Sequence, residues 1–390
     1  MNFCRNKSEV TVQLFDRTKD ILPVWNEILP TNHFLQTAHL NIYEQAELPD
    51  ISYLYALVWV NKEAVAAAYF QVINIRKYHL NTFELNSYQK LGWQLFANFS
   101  STKLLVSGHL FRHDICSFYW RGNCSMFDVF NMYKLAIVAA QKKACTQAVL
   151  VKDVNNDLTP YFQHYAPDFL QLRNDISMEF QLPFTWKNMN DYEQSLKHKY
   201  AQRYRKIRNA WCGLMITELT VDETENNKKT LYDLYMQVSD KQSVRLGNLT
   251  QKFLPLLKKK HPDELRIWMV KEQEKPVAFF SAWVHPYAFD MFYIGFDYEQ
   301  NERLQLYFNI LFFSMEQTIT IGKKKLILGR TALEAKARLG CSPRYLSTYL
   351  SIRNPLVRKV IFQLQQNISS KEGEWENRHP FKISTSLMKQ

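Results

Sequence analysis

The sequence predicts an α/β protein built as two tandem modules, each a mixed central sheet flanked by helices. Three observations carry that expectation. Helical and strand periodicities alternate along the chain instead of falling into separate runs. A chain of 390 residues with 46% hydrophobic content suits two cores better than one. The order of elements in the first half also recurs in the second, where Arg266–Phe280 lies over Tyr53–Phe70 after a gap of one or two residues.

Taken in order, the first half reads as helices near Ile21–Leu29 and Thr37–Ala46, then strands Tyr53–Val60 and Ala64–Ile73 turning at Asn61-Lys62-Glu63. Leu104–Gly108 and Ile115–Trp120 read as strands. Met126–Ala144 has apolar residues recurring at three and four and reads as a helix, with Ala148–Lys152 a short strand after it. In the second half, Thr230–Ser239 and Leu249–Lys260 read as helices. A hairpin follows, Leu265–Lys271 and Val277–His285 around Glu272–Pro276. Asp290–Tyr298 is a strand, Arg303–Ile321 a long helix, and Lys325–Gly329 a strand leading to a short helix that Gly340 caps. The boundary falls near Leu182-Pro183-Phe184. That gives a first module at 1–185, a second at 186–370 and a polar tail at 371–390.

Composition excludes several function classes. There are only 10 glycines, none in a Gly-x-Gly spacing, so no phosphate-cradling loop of the P-loop or dinucleotide type is present. Six cysteines without a Cys-x-x-Cys pair read as reduced thiols in a cytoplasmic protein. His109 and His113 stand four apart with no evident third ligand, so no metal is expected. Met1–Glu9 lacks the apolar core of a signal peptide, and the apolar runs are too short to span a bilayer. The chain is expected to be soluble, with at most peripheral membrane contact.

The net charge of +12 is unevenly placed. Residues 1–185 hold 16 basic and 16 acidic side chains, whereas residues 186–390 hold 33 and 21. A positive field of that kind favours a phosphate-bearing partner: nucleic acid, an anionic membrane surface, or a coenzyme or phosphopantetheine carrier. Within the second half, Leu196, Tyr200, Tyr204, Ile207 and Trp211 fall on one face of a helix. Lys199, Arg203, Lys206 and, less cleanly, Arg205 and Arg208 fall elsewhere on it. The order strand, long helix, strand, short helix places Gly295, Asp297 and Glu299 near one strand's carboxyl end. It places Arg330 just past the end of the next, with Lys336 and Arg338 on the short helix. The carboxyl ends of parallel strands are the usual ligand position in an open α/β sheet. Cations there suit a phosphate or a developing oxyanion.

The order helix, helix, hairpin, strand, long helix, strand resembles the GNAT acyltransferase fold, and its tandem form resembles the FemAB-like branch. Tyr200–Trp211, Tyr293-Ile-Gly-Phe-Asp and Gly329-Arg-Thr-Ala-Leu-Glu-Ala-Lys-Ala-Arg-Leu-Gly carry the likeness, best over 186–352. The resemblance implies a cytoplasmic enzyme that transfers an acyl group from acyl-CoA or an acyl-carrier thioester to a small-molecule amine. An acyl carrier protein is then an implied partner. Asp297 and Glu299 would be the bases, and Tyr293 would position substrate or protonate the leaving thiolate. Arg330 and Lys336 would hold phosphate or oxyanion, Gly295 would lie beside the donor, and Tyr204, Arg205 and Arg208 would line the entrance. One departure stands out: Tyr298-Glu-Gln-Asn-Glu-Arg-Leu has no glycine where such enzymes carry a glycine-rich pyrophosphate turn. The Fem-type alternative implies aminoacyl-tRNA as donor and a cell-wall precursor as acceptor, but the long heptad hairpin those enzymes often carry is missing. A GNAT-fold binding protein that has lost its donor site is a further alternative. Non-specific nucleic-acid binding is another, without a helix-turn-helix or RNP motif to support sequence readout.

Overall fold

The computed structural model describes residues 9–79, 103–112, 114–172, 175–242, 245–355, 358 and 378–382. His113 and most of the predicted 371–390 tail lie outside the described residues. In chain order the strands are β1 (Val10–Phe15), β2 (Ile51–Val60), β3 (Glu63–Asn74), β4 (Lys103–Ser107), β5 (Phe118–Trp120), β6 (Ala148–Val151), β7 (Phe169–Leu172) and β8 (Ile176–Gln181). They continue as β9 (Leu214–Glu218), β10 (Leu265–Glu272), β11 (Lys275–Val284), β12 (Ala288–Phe296), β13 (Lys325–Gly329), β14 (Ser342–Tyr345) and β15 (Thr348–Ile352).

These strands form two mixed sheets. The first runs β1-β2-β3-β4-β6-β15-β7, with β5 beside β3. The second, read from its far edge, runs β9-β10-β11-β12-β13-β8-β14. Strand for strand the two orders match: an edge strand, an antiparallel hairpin, a further antiparallel strand, a parallel strand reached across a long helix, then two more. The repeat seen in the sequence is therefore a repeat of topology. Both hairpins turn tightly for a local reason. Asn61 and Lys62 have φ of 50° and 68°, and two successive left-handed residues make the turn whose twist matches the flanking strands. Gln273 at φ 53° starts the second turn.

The match has one feature that sequence order hides. In each sheet the sixth strand comes from the other half of the chain: β15 lies between β6 and β7, and β8 lies between β13 and β14. Accordingly the chain divides into two compact units that are not contiguous in sequence. One is Met1–Asp175 with Ser243–Thr250 and Leu346–Gln365; the other is Ile176–Gln242 with Gln251–Tyr345 and Gln366–Gln390. The bounds 1–185 and 186–370 place β8 in the first module, whereas its ladder partners Lys325–Gly329 and Ser342–Tyr345 put it in the second sheet. β8 is a short strand between turns, and its composition says nothing about which sheet will claim it.

Helices α1 (Val24–Ile28), α2 (Thr37–Gln45), α3 (Met126–Ala144) and α4 (Thr159–Tyr165) belong to the first unit. α3 starts where Ser125 accepts the Asp128 amide and ends at Cys145 in the left-handed conformation. Its buried stripe of Val129, Phe130, Tyr133, Ala136, Ile137 and Ala140 packs with Ala56, Val58, Ala66 and Ala68 of the hairpin. The second unit carries α5 (Met189–Ser195), α6 (His198–Asn209), α7 (Val221–Asn226), α8 (Lys228–Ser239) and α9 (Phe253–Lys260). It continues with α10 (Tyr298–Leu304), α11 (Leu306–Thr320) and α12 (Leu333–Leu339). Its core joins Tyr204, Ile207 and Trp211 of the α6 segment to Ile310, Leu311 and Met315 of α11, over Ala278, Phe280, Phe289 and Leu326. The predicted helix at 303–321 is split, because Gln305 sits at φ 50° and ends α10 before α11 begins.

Candidate functional site

The ends of β12 and β13 define the site in the second unit. These two parallel strands pair over Ala288↔Lys325, Phe289↔Leu326 and Asp290↔Ile327 only. β12 then continues to Phe296 and β13 to Gly329, so the strands part beyond the third pair. The corresponding pair in the first unit stays closed: β4 and β6 run in register from Leu104↔Ala148 to Ser107↔Val151, and the Lys152 amide still donates to the Ser107 carbonyl at 2.7 Å.

The structure places the sequence-derived candidates around this opening in unequal ways. Tyr293 lies on the unpaired stretch of β12. Its backbone is held by the Ser281 hydroxyl, which accepts its N–H at 3.0 Å and donates to its carbonyl at 2.8 Å. Its ring stands edge-on to Tyr235, Phe253 and Phe292. Asp297 is the N-cap of α10: one carboxylate oxygen accepts the Glu299 amide at 3.0 Å, and Lys275 lies 3.8 Å from the other. Glu299 is exposed in the first turn of α10. Arg330 follows β13 directly and is half-buried.

Three candidates are corrected by their surroundings. Gly295 faces the backbone of α8, where a Cβ would come 2.4 Å from the Tyr235 nitrogen and 2.5 Å from the Leu234 carbonyl carbon. It admits a helix, not a ligand. Lys336 is 1% exposed, and its ammonium donates to the Gly329 carbonyl at 3.2 Å. Burial pulls it down to about 7, against the smaller opposing effect of Cys341, whose thiol burial raises to about 12. A sealed amine cannot reach a donor phosphate. Tyr204 is 7% exposed and packs edge-on against Tyr192 and Phe312, so it belongs to the core. The basic helix is also partly neutralised within the unit, since Arg205 pairs with Glu193 at 2.6 Å and Arg208 with Glu316 at 3.1 Å. Arg205 is mostly exposed, and such a pair contributes under about 1 kcal/mol.

A cationic cluster that the sequence reading did not assemble lies beside the start of α12. Arg338 and Arg378 each place a guanidinium nitrogen 2.8 Å from the same Glu334 oxygen. Arg203 of α6 lies over the Phe308 ring at 4.9 Å. Burial lowers its pKa, and Arg338 adds to the fall. Two guanidinium groups thus share one carboxylate, and a third, Arg203, lies within electrostatic reach of it. The Glu334–Arg338 spacing of four on a helix is legible in sequence. Arg378, some forty residues on, is not.

The start of α10, where a coenzyme pyrophosphate would meet helix amides, is filled from within. The Tyr298 N–H donates to the Gln237 side chain at 3.0 Å, the Glu299 N–H to Asp297, and the Gln300 N–H to the Asp297 carbonyl. The Tyr307 N–H of α11 is likewise taken by Asn301. The missing glycine turn therefore has a structural counterpart: side chains and one backbone carbonyl satisfy the donors that an anion would otherwise use. Among the described residues no group of three His, Cys, Asp or Glu is arranged to hold a metal ion, and no helix is long and apolar enough to cross a membrane.

No protein-family model matches the chain, and no curated protein matches it. Solved structures similar to it include FemX, at 10% identity over 83% of this chain and 92% of that one, with a TM-score of 0.43. A GCN5-related N-acetyltransferase from Kribbella flavida is similar at 6% identity, 88% and 71% coverage and a TM-score of 0.45. One from Sphaerobacter thermophilus gives 12%, 77%, 81% and 0.41. None of these likenesses assigns a role to a residue of this chain.

Proposed function

We propose that the chain is an N-acyltransferase whose second unit moves an acyl group from a thioester, on coenzyme A or an acyl carrier, to a small-molecule amine. The observation that carries this reading is the parting of β12 and β13 beyond Asp290↔Ile327. A strand edge left without its ladder partner accepts an extended, amide-bearing chain by strand addition. A pantetheine arm is thin, extended and carries amides suited to such an edge. In the first unit the equivalent strands are closed, so the chemistry is assigned to the second.

In this reading the neutral amine attacks the thioester carbonyl, an N–C bond forms and the C–S bond breaks. The amine proton passes to a carboxylate, and the leaving thiolate takes a proton from the Tyr293 hydroxyl. Asp297 and Glu299 remain the candidate bases. Asp297 already serves as an N-cap, which leaves Glu299 the better placed. Because Asn caps a helix as well as Asp does, Asp297→Asn is expected to change stability by less than about 0.5 kcal/mol and kcat by less than about tenfold. Glu299→Gln is expected to lower kcat by about 100-fold. Steady-state kinetics with denaturation midpoints checks both, and the reverse ranking would move the base to Asp297.

Arg330, Arg203, Arg338 and Arg378 are proposed to hold the donor's anionic groups. Arg330→Ala and Arg338→Ala are each expected to raise the donor KM by about tenfold with little change in kcat. The effect should vanish with a truncated pantetheine thioester that carries no phosphate. Unchanged KM in both variants would remove the assignment.

The filled start of α10 favours a donor without a nucleotide pyrophosphate at that place. An acyl carrier protein fits this, and so does aminoacyl-tRNA in the Fem-type alternative. Turnover measured with acyl-CoA, acyl carrier protein and charged tRNA in parallel separates the three donors. Absence of turnover with all three would favour a binding protein that keeps the fold. A cytoplasmic location belongs to the same proposal.

A further inference from the structure

Three turns of the second unit meet at one end of its sheet, the end away from the opening between β12 and β13. The turn 182–186 follows β8, the turn 285–288 joins β11 to β12, and the turn 321–324 joins α11 to β13. Backbone hydrogen bonds tie them together. The Lys324 and Lys325 amides both donate to the Tyr287 carbonyl, at 3.0 and 3.2 Å, and the Leu182 amide donates to the Lys324 carbonyl at 2.8 Å. The His285 amide closes its own turn on the Ala288 carbonyl at 2.9 Å. β12 starts here, at Ala288, and its far end at Phe296 lies about 25 Å away by the rise of a strand.

Two aromatic side chains project from these turns: Phe184 is 99% exposed and Tyr287 67% exposed. A single exposed ring is ordinary, but here the local structure holds both of them out. The Trp186 amide donates to the Pro183 carbonyl at 3.1 Å, which closes a β-turn with Phe184 and Thr185 at its tip. The Trp186 ring stacks on Phe180 with 5.6 Å between centroids. The core therefore grips the foot of that turn and leaves its tip to solvent. Tyr287 sits at the tip of the β11–β12 hairpin, with its backbone fixed by the two lysine amides.

The charge around the rings is positive. Lys187, Lys259, Lys260 and Lys324 are exposed, and Lys323 donates to the Pro286 carbonyl at 3.2 Å. The end of α9 belongs to this group because the Val284 amide donates to the Glu264 carbonyl at 2.7 Å. Most carboxylates of the same end have partners. Glu179 is held by Lys325 and Arg344, Glu264 lies 3.8 Å from His261, and Asp290 lies 3.7 Å from His285. Asp191 accepts the Lys187 and Asn188 amides, and Asp263 is exposed. Even with both histidines neutral, the cations outnumber the carboxylates. We propose that this end of the second unit docks on an anionic membrane surface, with Phe184 and Tyr287 entering the headgroup region and the lysines meeting the lipid anions. A fluid lipid layer needs no complementary pocket to take up rings carried on turn tips. The exposed cations are lysines, compact and strongly hydrated, and the one arginine among these groups, Arg344, is engaged by Glu179. Nucleic acid is better met by planar arginine forks and a groove that follows its backbone. The surface lies away from the opening at β12, so the proposal stands or falls apart from the acyl-transfer reading.

Co-sedimentation of the full chain with vesicles tests this, using phosphatidylcholine alone and phosphatidylcholine with about 30% phosphatidylserine. Binding is expected to the anionic vesicles only, and it should weaken as salt is raised. Phe184→Ser should weaken it about tenfold, and Lys323→Gln and Lys324→Gln about fivefold each. Phe184 and Lys324 lie on the surface, so the melting temperatures of their variants should match wild type. Phe127→Ser removes an exposed aromatic of the first unit and should leave binding unchanged. No binding to the anionic vesicles, or equal binding by wild type and Phe184→Ser, would overturn the proposal. So would an equal loss in Phe127→Ser and Phe184→Ser. Self-association without vesicles that Phe184→Ser disperses would assign the surface to a second copy of the chain. Binding of a single-stranded RNA oligonucleotide that the same variant abolishes would assign it to nucleic acid, and either result would overturn the membrane reading.

Discussion

Lys336→Met is expected to raise the stability of the protein by about 3 kcal/mol at pH 6, and the gain should fade as the pH rises toward 10. The side chain is 1% exposed, and burial holds its ammonium at about 7 against an ordinary 10.5. At about 1.4 kcal/mol per unit, that gap amounts to about 5 kcal/mol. The lost hydrogen bond to the Gly329 carbonyl returns about 1 kcal/mol of it, and imperfect packing of Met takes a further share. The sign follows from proton counting. Between pH 7 and 10.5 the unfolded chain holds a proton on Lys336 that the folded chain has released, so wild-type stability rises with pH across that window. Below pH 7 both states hold the proton, and the full cost of burying the charge is present. Methionine has no such dependence. Cys341 acts in the opposite direction, but only above pH 9, where the unfolded thiol ionises and the buried one does not. Denaturant titrations of both proteins at pH 6, 7, 8 and 9 therefore isolate Lys336. A difference that does not change with pH would show that the ammonium is solvated and the burial argument is mistaken. Should activity fall while stability rises, Lys336 would be one of those costly groups that a site retains for function.

Lys336 also marks where sequence reading and structure part company. On the helix Leu333–Leu339, position 336 stands one turn from Leu333 and Gly340, on the inward face. A seven-residue helix gives too few turns for periodicity to mark that face, so a lysine there reads as a surface cation. The longer elements were legible because many residues testify to one period. Met126–Ala144 begins and ends where its apolar stripe, Ser125 cap and left-handed Cys145 require. The two hairpins were legible through alternation and their turn residues. By contrast, β8 and β15 are short strands whose partners lie in the other half of the chain. Nothing local records a reciprocal exchange between two sheets of like order, because each strand would pair as well with a neighbour of its own half. The arginine cluster escaped for the same reason: Arg203, Arg338 and Arg378 meet only through tertiary structure.

The second large effect is expected at Gly295, and it separates a packing glycine from a binding one. The sequence suggests a residue beside the donor because Gly295 precedes the end of a strand. A lone glycine inside a strand equally marks a close backbone approach, and here α8 makes that approach. An added Cβ would come within 2.4 to 2.5 Å of Tyr235 N, Leu234 C and Phe279 Cε1. The phenylalanine ring can swing, but the two helix backbone atoms move only if the helix does. Gly295→Ala is therefore expected to cost about 3 kcal/mol, a fall in melting temperature of roughly 6–12 °C for a unit of this size. Gly322→Ala is the control: nothing lies within 4 Å of its added Cβ, and only its φ of 67° is unfavourable, a strain of about 1–2 kcal/mol. Displacing α8 also reaches the opening at β12. This helix carries Gln237, which caps the Tyr298 amide, and Tyr235, whose ring stands against Tyr293. Any Gly295→Ala protein that folds should therefore lose kcat as well as stability, whereas Gly322→Ala should lose only stability. A Gly295→Ala protein as stable as wild type but with a raised donor KM would restore the binding role and remove the packing one.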